Sequence, residues 1–225
     1  MPDQAPHAYL KRGLVWRMVH VATSLFTHSW LRLSVTGREN IDNTRGGILL
    51  FNHQSFLDPL LAAVRLSRPV SYLARDSLFV IPVVGWILRN TYVTPLNRTA
   101  FRGSSIRQAL ERLESGFLVG VFPEGTRTPD GEVKAFRPGF LSLVRRSDVP
   151  IYPVGISGAD KAMPRGAWFV RPARITIHYG APLTAAECEQ LRENRNEKAA
   201  AELARQRVME NQLLAAKNLS TRALT

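Results

Sequence analysis

The chain has 225 residues, 45% hydrophobic and 21% charged, enough for one domain with its own core. Fifteen glycines and fourteen prolines are too few for a low-complexity or collagen-like chain, and the single cysteine, Cys188, excludes a disulfide framework or a multi-thiolate metal site. Thirty Lys and Arg against eighteen Asp and Glu leave a net charge of +12, nearly all of it before Thr184, so the body of the domain favours anionic partners: nucleic acid, an anionic membrane face, or phosphorylated and acidic substrates.

Residues Met1 to Gly13 are polar and do not read as a secretory signal. From Leu14 to Leu33, apolar residues recur at helical spacing: Leu14, Met18, Val21 and Leu25, with Val15, Ala22 and Phe26 beside them. Arg17, His20, His28 and Arg32 interrupt the stretch and make a membrane-spanning helix costly. An amphipathic helix is expected, with Trp16 and Trp30 near its ends. It either lies in a membrane interface or packs its apolar face on the domain.

Short apolar strands then alternate with helices. A strand is expected at Ile48 to Phe51, and a helix from Asp58 as N-cap with Pro59 as its first residue to about Leu66. Further strands are expected at Val70–Leu73 and Tyr92–Leu96, with the apolar segment Leu78–Leu88 between them. Ser105 and Gln108 form a capping box for a helix to about Ser115. A strand at Phe117–Phe122, a helix near Phe140–Arg146, and strands at Ile151–Ile156 and Ile175–Tyr179 follow. Thr184 and Glu187 form a second capping box, ahead of one long Ala-rich helix. The order predicts a single α/β domain, a central mixed sheet flanked by helices, with an N-terminal amphipathic helix and a long C-terminal helix. Its expected parts are residues 1–36 (amphipathic, interfacial), 37–183 (catalytic) and 184–225 (a helical extension of the same domain).

Two segments place polar groups at the ends of apolar strands, where α/β folds put their sites. In Asn52-His53-Gln54-Ser55-Phe56-Leu57-Asp58, a turn would bring Asp58 to one imidazole nitrogen of His53 and leave the other as a base. By itself this segment reads as Asp58 capping a helix and His53 a hydrogen-bonded loop residue. No Gly-x-Ser-x-Gly elbow is present, and Cys188 lies on a distant helix, so the base is expected to deprotonate a substrate hydroxyl. In Phe122-Pro123-Glu124-Gly125-Thr126-Arg127, the glycine, the hydroxyl and the guanidinium suit a phosphate. Glu124 would repel a phosphate, so it orients an arginine or bonds a substrate hydroxyl. Alone, this segment is equally a turn with an exposed ion pair.

Together the two blocks resemble the glycerolipid acyltransferase family that includes the 1-acylglycerol-3-phosphate acyltransferases, whose motifs are N-H-x-x-x-x-D and F-P-E-G-T-R. Val149 to Ile156 is similar to that family's later Pro-containing strand. Tyr92 to Arg98 resembles its remaining block, with Tyr92 where the family has glycine. The likeness runs from about Gly37 to Pro182. It implies that His53, steered by Asp58, takes the proton of an acceptor hydroxyl, which attacks the thioester of acyl-CoA or acyl carrier protein. It also implies that Gly125, Thr126 and Arg127 bind phosphate and that Glu124 and Arg98 help to place the acceptor. The implied acceptor is lysophosphatidic acid (1-acyl-sn-glycerol-3-phosphate) and the product phosphatidic acid, with glycerol-3-phosphate, another lysophospholipid or a lyso-aminolipid as alternatives. The expected setting is peripheral or monotopic, on the cytoplasmic face of an anionic membrane, with no cofactor and no metal. A basic nucleic-acid-binding protein is the alternative from another class. No nucleic-acid partner is expected, because no binding motif is present and most of the ten Phe lie in apolar runs.

Overall fold

Strand β2 (Gly47–Phe51) is buried along its whole length. Its side chains alternate, Leu49 and Phe51 facing one apolar core and Ile48 and Leu50 the other. A strand buried on both faces belongs inside a sheet covered by helices on both sides. The computed structural model, which describes residues 14–96, 104–164, 166–193 and 195–221, places β2 at the centre of seven strands.

The other strands are β1 (Ser34–Thr36), β3 (Val70–Arg75), β4 (Thr94–Leu96), β5 (Leu118–Val121), β6 (Ile151–Ser157) and β7 (Thr176–Tyr179), in the order β1-β7-β6-β2-β5-β3-β4. Strands β6, β2, β5, β3 and β4 are parallel; β7 pairs antiparallel with β6, and β1 runs parallel to β7. The helices are α1 (Leu14–Ser29), α2 (Asp58–Val64), α3 (Pro82–Asn90), α4 (Ser104–Glu114), α5 (Leu141–Val144), α6 (Ala159–Ala162), α7 (Ala185–Glu193) and α8 (Glu197–Thr221). The mixed α/β sheet follows the sequence expectation. Three elements have no assignment there: α3 occupies the apolar segment after Leu78, the three-residue edge strand β1 is too short to show a period, and α6 is a single turn.

The C-terminal region differs from the single helix expected. The Thr184/Glu187 capping box forms, with Thr184 N–H donating to Glu187 Oε2 at 2.8 Å and Glu187 N–H to Thr184 Oγ1 at 3.3 Å. The helix it starts ends at Glu193. Asn196 then caps α8, its Oδ1 accepting the Ala199 amide at 3.3 Å. Helix α8 turns Ala200, Ala204, Val208 and Ala215 to the sheet. It lies so close to β6 that a Cβ on Gly155 would strike the main chain at Asn211 and Gln212.

Helix α1 is oriented the other way. Leu14, Met18, Val21 and Leu25 are 57–74% exposed, while Thr23 and Thr27 are buried against the domain. The apolar stripe therefore points outward and does not serve the core. Among the described residues, no helix is long and apolar enough to cross a membrane.

Candidate active site

Strands β2 and β5 run side by side with Leu50 opposite Val121, so the segments that follow them leave the sheet together. Asn52 is fully buried. Its side chain continues the ladder onto β6, Nδ2 donating to Ile156 O at 2.9 Å and Oδ1 accepting Ile156 N–H at 2.8 Å. This clamp fixes where the chain turns away from the strand.

Three groups then hold His53. Its Nδ1 lies 2.8 Å from Asp58 Oδ2. Its amide donates to Glu124 Oε1 at 2.8 Å, and its carbonyl accepts the Thr128 amide at 2.9 Å. The ring also rests on Phe122, centroids 4.4 Å apart. Its Nε2 has no protein partner among the described residues. The carboxylate on Nδ1 favours the tautomer with the proton there, which leaves Nε2 as the acceptor.

Asp58 is fully buried, and its role differs from the expected N-cap. It is the first residue of α2, and Oδ2 turns back to accept the amides of Gln54 at 2.7 Å and Ser55 at 2.8 Å as well as His53 Nδ1. Burial pushes the carboxyl above the usual range, while the bond to His53 and the two amides pull it back. Oδ1 is buried with no partner.

Glu124, expected to help place the acceptor, uses one lone pair of each oxygen for a main-chain amide. Oε1 takes the His53 amide and Oε2 the Lys134 amide at 3.3 Å, and the residue is 3% exposed. It is a positioning residue for the histidine main chain. Burial raises its pKa from 4.5 to about 7 against the opposing pull of the two amides.

The segment beyond it is open. Gly125 has φ 69°, in the left-handed region that favours glycine. Gly125 and Thr126 are exposed, and Arg127 is half-buried with its guanidinium 5.9 Å from the Phe56 ring centroid. Arg127 has no ion-pair partner among the described residues. The structure thus brings His53, Asp58, Glu124, Gly125, Thr126 and Arg127 to one edge of the sheet, whereas Arg98 lies outside the described residues. Tyr92, which precedes it, adopts φ 62°, so the backbone that suits glycine is kept by a tyrosine. Sequence reasoning missed Thr128 and the clamp made by Asn52, although a buried polar residue ending an apolar strand is a readable signal for such a clamp.

Comparison with known proteins gives a consistent result. The family model described as Acyltransferase matches residues 32–157. The chloroplastic 1-acyl-sn-glycerol-3-phosphate acyltransferase of Arabidopsis thaliana is 30% identical over 147 residues, which are 64% of this chain and 41% of that protein. The 1-acyl-sn-glycerol-3-phosphate acyltransferase of Bacillus subtilis is 26% identical over 79% of this chain and 87% of its own. The chain thus spans less than half the length of the plant relative. The crystal structure of the 1-acyl-sn-glycerophosphate acyltransferase PlsC from Thermotoga maritima superposes with a TM-score of 0.71, covering 88% of this chain and 78% of the other at 27% identity.

Proposed function

The chain belongs to the acyltransferase family, and from that premise we propose that it moves a fatty acyl group from acyl-CoA or acyl carrier protein to the free hydroxyl of 1-acyl-sn-glycerol-3-phosphate, giving phosphatidic acid. The observation that carries this reading is the His53–Asp58 pair, with Nε2 unpartnered and no side-chain nucleophile beside it among the described residues. The Ser55 hydroxyl donates to Met163 O, and Cys188 is buried in α7 against the opposite core.

The acceptor hydroxyl gives its proton to Nε2 as its oxygen attacks the thioester carbonyl. Collapse of the tetrahedral intermediate expels the thiolate, which takes the same proton from the imidazolium. Asp58 stabilises that imidazolium and keeps Nδ1 protonated throughout. General-base action of this kind is worth roughly 10²–10⁴-fold. Gly125, Thr126 and Arg127, with Arg98, receive the acceptor phosphate, the guanidinium offering two parallel donors.

The outward stripe of α1 supports docking on one side of an anionic membrane, on the cytoplasmic face where acyl-CoA and acyl carrier protein are available. In this layout residues 1–36 form the interfacial part, 37–183 the catalytic part and 184–225 its helical extension. The test is to offer the purified protein a panel of lyso-lipids with each donor and to identify products by mass spectrometry. Phosphatidic acid as the main product supports the proposal, and no acylation of any phosphorylated acceptor overturns it. Replacing Met18 and Leu25 by aspartate should abolish flotation with anionic liposomes and leave the thermal midpoint unchanged.

A further inference from the structure

The opposite edge of the sheet, where β2 and β5 begin, holds a second concentration of positive charge. Helix α1, the 3-10 turn Arg38–Asn40 and the connection from α2 to β3 surround a pocket of about 530 Å³ there. One wall is Arg68, only 5% exposed. Its Nη1 is used, donating to the carbonyls of Asp42 at 2.9 Å and Arg45 at 2.8 Å. Its Nε and Nη2 are buried with no partner.

Those two nitrogens form one edge of the guanidinium and present parallel donors, the geometry that matches a carboxylate or phosphate bidentately. A buried charged donor without a partner is costly, so an anion that reached this edge, now covered by the pocket wall, would relieve that cost. The nearby Asp42 carboxylate does not meet it: Oδ1 accepts from the Thr44 amide and hydroxyl, and Oδ2 pairs with Arg45. Arg38 and Arg65 line the same pocket, held together by a bond from Arg38 Nη1 to Arg65 O at 3.2 Å. His20 and Ser24 enter from α1, and Glu39 is the single carboxylate among the lining residues.

We propose that this pocket is an anion site for a phosphate group, held by Arg68 with Arg38 and Arg65, and that its occupant ties α1 to the body of the domain. The site is separate from the catalytic edge and does not depend on acyl transfer. Phosphate can come from a soluble phosphorylated compound or from a lipid headgroup beneath α1, and the two sources separate experimentally.

The experiment titrates the full chain with inorganic phosphate at constant ionic strength, by calorimetry and by phosphorus-31 line broadening, in wild type and in an Arg127→Ala background that lacks the guanidinium assigned to the acceptor. Saturable binding is expected in both. The Arg38→Gln/Arg65→Gln variant should bind at least tenfold more weakly, and Glu39→Gln more tightly. Glu189→Gln, the same charge change on α7, should leave binding unchanged. Arg68→Met loses two carbonyl contacts as well, so these rim variants carry the test if it unfolds. Flotation with vesicles containing phosphatidic acid then identifies the source. A response to Glu39→Gln but not to Glu189→Gln assigns a lipid headgroup, and its absence alongside saturable phosphate binding assigns a soluble phosphate. Failure to saturate, or saturation that disappears with Arg127→Ala and ignores the rim variants, overturns the site.

Discussion

The two turns that meet at the catalytic edge are built on opposite plans. The turn from Asn52 to Asp58 directs its polar groups inward, to β6, to Asp58 Oδ2 and to the main chain of neighbouring segments. The turn from Phe122 to Thr128 is divided. Phe122, Glu124 and Thr128 serve His53, while Gly125, Thr126 and Arg127 are left facing outward. One turn is held in place before any substrate arrives, and the other leaves three residues outside that framework. On the proposed function, orientation and recognition fall to different residues, which makes them separable by mutation.

The largest effect falls on the oriented base. His53→Ala should lower kcat by roughly 100-fold or more with unchanged circular dichroism. Retention of a tenth of wild-type turnover would remove His53 from the chemistry. Asp58→Asn should come next, lowering kcat by at least about tenfold while KM for both substrates barely moves, because only the tautomer and the imidazolium are affected. It should also cost about 1–3 kcal/mol, since its amide places two donors where Oδ1 is already buried without a partner. Unchanged stability together with normal turnover would reduce Asp58 to a helix-starting residue.

Glu124 tests whether a carboxylate can act only through the main chain it holds. Its pKa is raised from 4.5 to about 7 by burial, so the folded state binds the proton more tightly than the unfolded state. The stability this contributes is complete below pH 4.5 and is lost as pH rises through about 7. Glu124→Gln does not titrate, so wild-type stability should fall relative to the variant by up to a few kcal/mol across that window. Denaturant midpoints of the two proteins measured from pH 4.5 to 7.5 decide it, and parallel curves would mean that Glu124 keeps an ordinary pKa. On the open turn, Arg127→Lys should raise KM for the phosphorylated acceptor about tenfold, some 1.4 kcal/mol, with much less effect on the acyl donor. Equal effects on both substrates would break the division between the turns.

Much of this arrangement was legible in the sequence because its signals are local. Continuous apolar runs mark the central strands, Thr184 and Glu187 mark a helix start, and the spacing of His53 and Asp58 is set by one turn. What the sequence obscured depends on tertiary direction. The period of Leu14, Met18, Val21 and Leu25 gives a helix but not whether its stripe faces the core or the outside. Asn196 splits the C-terminal helix within a run that otherwise favours helix. No pattern in the chain announces that Glu124 accepts the amides of residues 53 and 134.

The smallest effect concerns Tyr92, which keeps a backbone conformation that favours glycine. A non-glycine residue at φ 62° is strained by roughly 1–2 kcal/mol. The tyrosine ring offsets part of this by packing on Phe117, centroids 5.1 Å apart, and beneath the Arg112 guanidinium at 5.7 Å. Tyr92→Ala removes the ring and keeps the strain. Tyr92→Gly removes both, but frees the unfolded chain by about 0.4–1 kcal/mol. Both variants should therefore be less stable than wild type, with Tyr92→Gly the more stable of the two by up to about 1 kcal/mol. Because they share the loss of the ring, the difference between their denaturation midpoints isolates the backbone. If Tyr92→Ala proves the more stable, the left-handed conformation is not the one the folded chain holds.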